Sequence, residues 1–174
     1  MITYCTGNLF SAPPGSILVH SCNAQGVWGA GGALQMKNRY WEAYKDFRKW
    51  LRLFMGYQGN PLGHARLFPR HSSSHSIASL VVSNGFGNTV DSAEAILGHT
   101  AAAIRHLLLQ ELKAAVEQKR PVRELHSPRI NAGLFNVPWE QTEAIIRARL
   151  AAFNDGLPPH GYEGRPFHWT VWTP

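Results

Sequence analysis

Residues 19 to 33 read Val19-His20-Ser21-Cys22-Asn23-Ala24-Gln25-Gly26-Val27-Trp28-Gly29-Ala30-Gly31-Gly32-Ala33, and no other stretch constrains the fold as tightly. Ile17, Leu18 and Val19 lead in as an apolar run of strand type. Four glycines, Gly26, Gly29, Gly31 and Gly32, then fall within seven residues, and a helical pattern opens at Ala33. A strand, a glycine loop and a helix start therefore follow one another. Glycine lets backbone N–H groups approach a ligand closely. A helix N-terminus adds unpaired N–H donors and the positive end of a dipole. The combination suits a phosphate or a diphosphate; a tight strand-to-helix connection with no ligand would use the same residues. The stretch is not a dinucleotide fingerprint, because Leu34 stands where the third glycine belongs, and no Gly-Lys-Ser/Thr follows to make a Walker loop.

The rest of the chain repeats this design. Ile2 to Thr6 alternates as a first strand, and residues 11 to 16 form a proline-containing loop. A first long helix is predicted over 32–53, with Tyr40, Ala43, Tyr44, Phe47 and Leu51 as its apolar stripe. Residues 55 to 63 read as loop, 65 to 68 as a short strand, and 77 to 82 as a central strand. Ser83-Asn84-Gly85-Phe86-Gly87-Asn88 is a second glycine loop. It leads to a helix over 92–118, with Asp91 as N-cap and Glu94 three residues on. Pro121 to Pro128 reads as a connector. Arg129 to Trp139 is a third loop of the same design: a short strand leads to Gly133, and Pro138 lies near the start of a helix striped by Thr142, Ile146, Leu150 and Phe153. The segment 167 to 172 closes the chain as a strand. Alternating strands and helices make this an α/β protein, with ligands expected beyond the carboxyl ends of the strands.

Bulk properties narrow the class. One domain over 1–174 is the default at this length. Seventeen basic against eleven acidic residues leave a net charge of +6, which favours a nucleotide, nucleic acid or other phosphate-bearing partner. The basic residues are scattered, so a long nucleic-acid groove is not indicated. No apolar run approaches the ~20 residues that span a bilayer, and the first residues show no leader, so an intracellular protein is expected. The two cysteines, Cys5 and Cys22, are too few for a disulfide scaffold. Cys22 and His20 share a strand face, which leaves a catalytic thiol open beside a buried one. His71 and His75 are four apart with His64 upstream, but the Ser-rich segment between them is not helical, so no metal and no cofactor are expected.

Four motifs in order resemble a known family: Gly7-Asn8-Leu9, His20-Ser21-Cys22-Asn23, Trp28-Gly29-Ala30-Gly31-Gly32-Ala33, and Ile130-Asn131-Ala132-Gly133-Leu134-Phe135-Asn136-Val137-Pro138-Trp139. They are similar to those of macrodomains, and most of all to the fungal ADP-ribose 1''-phosphate phosphatase branch, with its H-S-C-N, W-G-G-G-I-A and I-N-S-G-I-F-G-V-P-W. The resemblance implies a three-layer α/β/α sandwich around a mixed sheet, with a cleft for ADP-ribose. It implies that Gly7, Asn8 and Leu9 border the adenine, and that Ser21, Cys22 and Asn23 border the distal ribose. It implies that Trp28, Gly29, Ala30, Gly31, Gly32 and Ala33 wrap the diphosphate and the distal ribose. Asn131, Ala132, Gly133, Leu134, Phe135, Asn136 and Val137 would close the other side. Many macrodomains carry Asp where this chain has Asn8; an amide oxygen accepts the same bond without charge assistance.

The implied reaction is hydrolysis of ADP-ribose 1''-phosphate, a by-product of tRNA splicing, to ADP-ribose and phosphate. The catalytic candidates are His20, to activate a water or protonate the leaving oxygen, and Asn23, to hold the distal ribose. A non-catalytic ADP-ribose-binding module and a mono-ADP-ribosyl hydrolase are the alternatives. Gly133-Leu134-Phe135 lacks the Asp that related DNA- and glutamate-directed hydrolases carry after Gly-Leu, and residues 83 to 88 hold no lysine, which argues against a glutamate-ester hydrolase. Glu124 is the nearest acid before Arg129. Expected partners are ADP-ribose, ADP-ribose 1''-phosphate and ADP-ribosylated protein, with no membrane. A cytoplasmic monomer is expected, with the nucleus as a second compartment.

Overall fold

The computed structural model describes residues 1–69, 75–159 and 161–174. Six strands form one sheet: β1 (Ile2–Thr6), β2 (Ile17–Asn23), β3 (Ala65–Phe68), β4 (Ser76–Ser83), β5 (Leu125–Ser127) and β6 (Trp169–Thr173). Their order across the sheet is β1-β6-β5-β2-β4-β3. All pairs are parallel except β3 with β4, so the sheet is mixed. Helices α1 (Gly31–Arg39) and α2 (Trp41–Tyr57) cover one face; α3 (Ala93–Glu117) and α4 (Trp139–Asp155) cover the other.

The strand alternation sorts the core into two halves. Ile17, Val19, Ala78, Leu80 and Val82 pack against α3 and α4. Leu18, Cys22, Ile77 and Val81 pack with Trp28, Met36, Ala43, Phe47 and Leu51 on the other side. Every residue of β4 is buried, as a strand covered on both faces requires. The expected three-layer α/β/α sandwich is the observed architecture. Among the described residues no helix is long and apolar enough to cross a membrane.

Three local expectations are corrected. The single helix predicted over 32–53 is two helices, broken at Tyr40 (φ −128°, ψ 61°), and the second runs on to Tyr57. The break keeps its backbone bonds: Tyr40 N–H donates to the Met36 carbonyl and Tyr44 N–H donates to the Tyr40 carbonyl. It swings the Tyr40 hydroxyl to 2.7 Å from His75 Nδ1. The helix after β4 is capped by Ser92, which accepts from Ala95 N–H, while Asp91 accepts from the Asn84 backbone N–H at 2.8 Å and so braces the loop. The strand expected between Arg129 and Gly133 lies earlier, in the supposed connector, at Leu125–Ser127. Leu125 is fully buried there between β2 and β6, and Pro128 ends the pairing.

Candidate active site

The cleft lies beyond the carboxyl ends of the strands and has a volume of about 720 Å³, within the range of small-molecule sites. Of the site residues expected from the sequence, Gly7, Asn8, Leu9, His20, Ser21, Cys22, Asn23, Gly29, Ala30, Gly31, Gly32, Ala33, Asn131, Gly133, Leu134 and Phe135 line it together. Trp28, Ala132, Asn136 and Val137 do not. Trp28 is fully buried under the glycine loop, against His20 (4.4 Å between ring centroids), Tyr44 (5.0 Å) and Phe47 (5.3 Å). Val137 belongs to the core beneath the opposite loop. Lining residues that the motifs did not single out include Phe10, Gln35, Met36, Phe86, Arg129 and Trp172. Phe86 lies in the second glycine loop and Arg129 opens the third, so loop convergence was the signal that could have found them.

The glycine loop is held from several sides. The β2–β4 pairing shifts register between Cys22 and Asn23, which turns the strand end toward the loop. Asn23 Nδ2 donates to the Val27 carbonyl at 2.8 Å, and its Oδ1 accepts from Gln25 and Val27 N–H. Tyr44 on α2 donates its hydroxyl proton to the Gly26 carbonyl at 3.2 Å. Gly31 has φ +58° and faces Leu134 from the other loop, a backbone conformation that L side chains rarely adopt. The α1 N-terminus has no side-chain cap, so its first N–H groups remain open beside the lining residues Gly31, Gly32 and Ala33.

Asn8 accepts from Phe10 N–H at 2.9 Å and so starts the short 3-10 turn Leu9–Ser11. Asn131, with φ +67°, donates to Thr100 Oγ1 on α3 at 2.9 Å and fixes the root of the third loop.

His20 is buried on the cleft floor, with Nε2 2.9 Å from Ser79 Oγ. Burial pulls its imidazole from 6.5 down to about 3, opposed only in part by a Ser21 backbone contact. The residue expected to titrate near neutrality is therefore neutral there. Cys22 is equally buried, and burial pushes its thiol well above the ordinary range; its Sγ–H donates to the Leu80 carbonyl at 3.3 Å. A thiolate nucleophile does not fit that setting. His75 lies 2.9 Å by Nε2 from the Ala12 carbonyl, and His71 falls outside the described residues. Among the described residues no three His, Cys, Asp or Glu side chains group to hold a metal.

A protein of Chaetomium globosum named ADP-ribose 1''-phosphate phosphatase is 35% identical over 181 residues, covering 98% of this chain and 95% of that one. The chain belongs to the ADP-ribose 1''-phosphate phosphatase family. Relatives of the same name from Meyerozyma guilliermondii (33%, 88% of this chain and 96% of that one) and Saccharomyces cerevisiae (32%, 83% and 90%) agree. No family model matches the chain. Among solved structures, the macrodomain of Mycobacterium tuberculosis DarG superposes with a TM-score of 0.71 at 20% identity, covering 100% of this chain and 98% of that one. Thermosipho africanus DarTG in complex with ADP-ribose gives 0.64 at 16% identity, over 97% of this chain and 41% of that one. The family fold here is thus the macrodomain fold.

Proposed function

We propose that this protein hydrolyses ADP-ribose 1''-phosphate to ADP-ribose and inorganic phosphate in the cleft described above. The observation that carries the reading is the pairing of two loops, residues 29–33 at the open start of α1 and residues 131–135 opposite, around one cavity of suitable size. Backbone donors at a helix start suit a diphosphate. Asn8, Leu9 and Trp172 give the other end an apolar and amide lining for adenine, and Ser21 to Asn23 with Phe135 border the distal ribose. The phosphatase name of the relatives and the ADP-ribose held by a structural neighbour support the same assignment.

In the reaction, water attacks phosphorus, the bond from phosphorus to the C1'' oxygen breaks, and that oxygen ends with a proton derived from the water. Of the two roles open to His20, its neutrality favours the acceptor one. An imidazole held near pKa 3 is not protonated at neutral pH and so is no general acid; as a weak base it offers the attacking water a hydrogen-bond acceptor that orients it. Asn23 keeps the distal-ribose end in shape by holding the glycine loop. The setting in this reading is the clean-up of a tRNA-splicing by-product by a single-domain, cytoplasmic monomer. Incubation with ADP-ribose 1''-phosphate, followed by chromatography, tests it: ADP-ribose should accumulate. Substrate that persists unchanged, although ADP-ribose binds, would leave a binding module.

A further inference from the structure

The cleft is suited to a highly charged ligand yet is itself almost uncharged. Among the described residues that line it, Arg129 is the only lysine or arginine, and there is no Asp or Glu. Arg129 stands one residue past β5, after Pro128, and its backbone is held on both sides. Ile130 N–H donates to the Pro128 carbonyl at 2.9 Å, and Ala132 N–H donates to the Arg129 carbonyl at 3.3 Å. Its side chain is exposed and makes no ion pair or hydrogen bond among the described residues. Arg66, Arg120, Arg123, Arg147 and Arg165, by contrast, each pair with a carboxylate. Arg129 is therefore a guanidinium fixed at its root, without a carboxylate partner among the described residues, in the lining of the proposed ligand cleft.

The sheet order says where along the ligand it lies. Following β1-β6-β5-β2-β4, the cleft passes Asn8 after β1, Trp172 on β6, Arg129 after β5, Asn23 at the end of β2 and Phe86 beyond β4. Arg129 thus falls between the proposed adenine end and the distal-ribose end, where the diphosphate must cross. We propose that Arg129 is a positioning residue that pairs with the ligand's diphosphate and supplies the one full positive charge the backbone donors lack. This rests on the ADP-ribose reading of the cleft. Backbone N–H groups orient phosphate oxygens but carry no net charge, whereas a guanidinium meets a phosphate with two parallel N–H donors. Specificity for nucleoside diphosphate ligands over uncharged nucleosides follows.

Titration calorimetry with ADP-ribose and with ADP, on wild type, Arg129→Gln and Arg129→Lys, tests the inference. In Arg129→Gln both ligands should bind about tenfold more weakly, because each carries the diphosphate. Arg129→Lys should recover part of the loss. With ADP-ribose 1''-phosphate, KM should rise while kcat stays unchanged, and raising salt should weaken the wild type more than Arg129→Gln. The melting temperature should hardly move, since the exposed side chain makes no ion pair or hydrogen bond among the described residues. Equal affinities of wild type and Arg129→Gln for ADP-ribose would overturn the inference alone. A fall in kcat with affinity kept would overturn it in favour of a role at the reacting phosphate. Failure of the wild type to bind ADP-ribose would overturn the reading of the cleft, and the inference with it.

Discussion

His20 should make the fold acid-sensitive by a predictable amount. In the unfolded chain its imidazole titrates at the ordinary 6.5; in the folded protein burial holds it at about 3. The folded value is the lower one, so the neutral-imidazole contribution is complete above 6.5 and is lost as pH falls from there toward 3. Each pH unit in that window costs about 1.4 kcal/mol, so moving from near pH 7.5 to about pH 4.5 removes about 2–3 kcal/mol through this residue. Other groups titrate over the same range, including His106 and His126, which burial also lowers. The measurement is therefore a difference of differences. Urea unfolding of wild type and His20→Gln, each at both pH values, isolates the term, because glutamine does not titrate and can still reach Ser79. The wild type should lose about 2–3 kcal/mol more than the variant on acidification. Parallel losses would mean that His20 takes up a proton in the folded state as readily as in the unfolded one. The argument from burial would then be wrong, and His20 could serve as a general acid.

Trp28→Ala should cost about 3–5 kcal/mol, since the indole is wholly buried against three rings beneath the glycine loop. Thermal melting reads this as a large drop in Tm, and a drop of a few degrees or less would contradict it. Asn23→Ala should lower both Tm and ADP-ribose affinity, because the amide makes three hydrogen bonds within its own loop; lost affinity with Tm kept would make it a ligand contact and nothing more.

How far the sequence reveals the molecule depends on how local each signal is. The strand-loop-helix pattern at 17–33 and the buried run at 77–82 give the central strands, because glycine clustering and apolar runs are properties of neighbouring residues. The break at Tyr40 carries no such mark. No proline or glycine stands there, and the turn is fixed by contacts with His75 and Phe10 that are distant in sequence. β5 is hidden for the same reason: three residues are too few for periodicity, and only pairing with β2 and β6 makes them a strand. Within the cleft, motif residues are legible as a set, but not which of them face the ligand. Trp28 reads as a loop residue and is a core residue. His20 reads as a titrating group because its residue type titrates near neutrality in water; its burial beside Trp28 and Ser79 is a tertiary fact. Arg129 passes unnoticed because a lone arginine before a loop is ordinary, and it is singled out only by being the one charged side chain among the described residues that line the cleft.

Phosphorus NMR of ADP-ribose 1''-phosphate incubated with the protein tests the central claim most directly. The account predicts that the phosphate monoester signal falls while free inorganic phosphate grows in equal amount, with the diphosphate signals retained as those of ADP-ribose. A monoester signal that stays constant beside active-site concentrations of folded protein would contradict it.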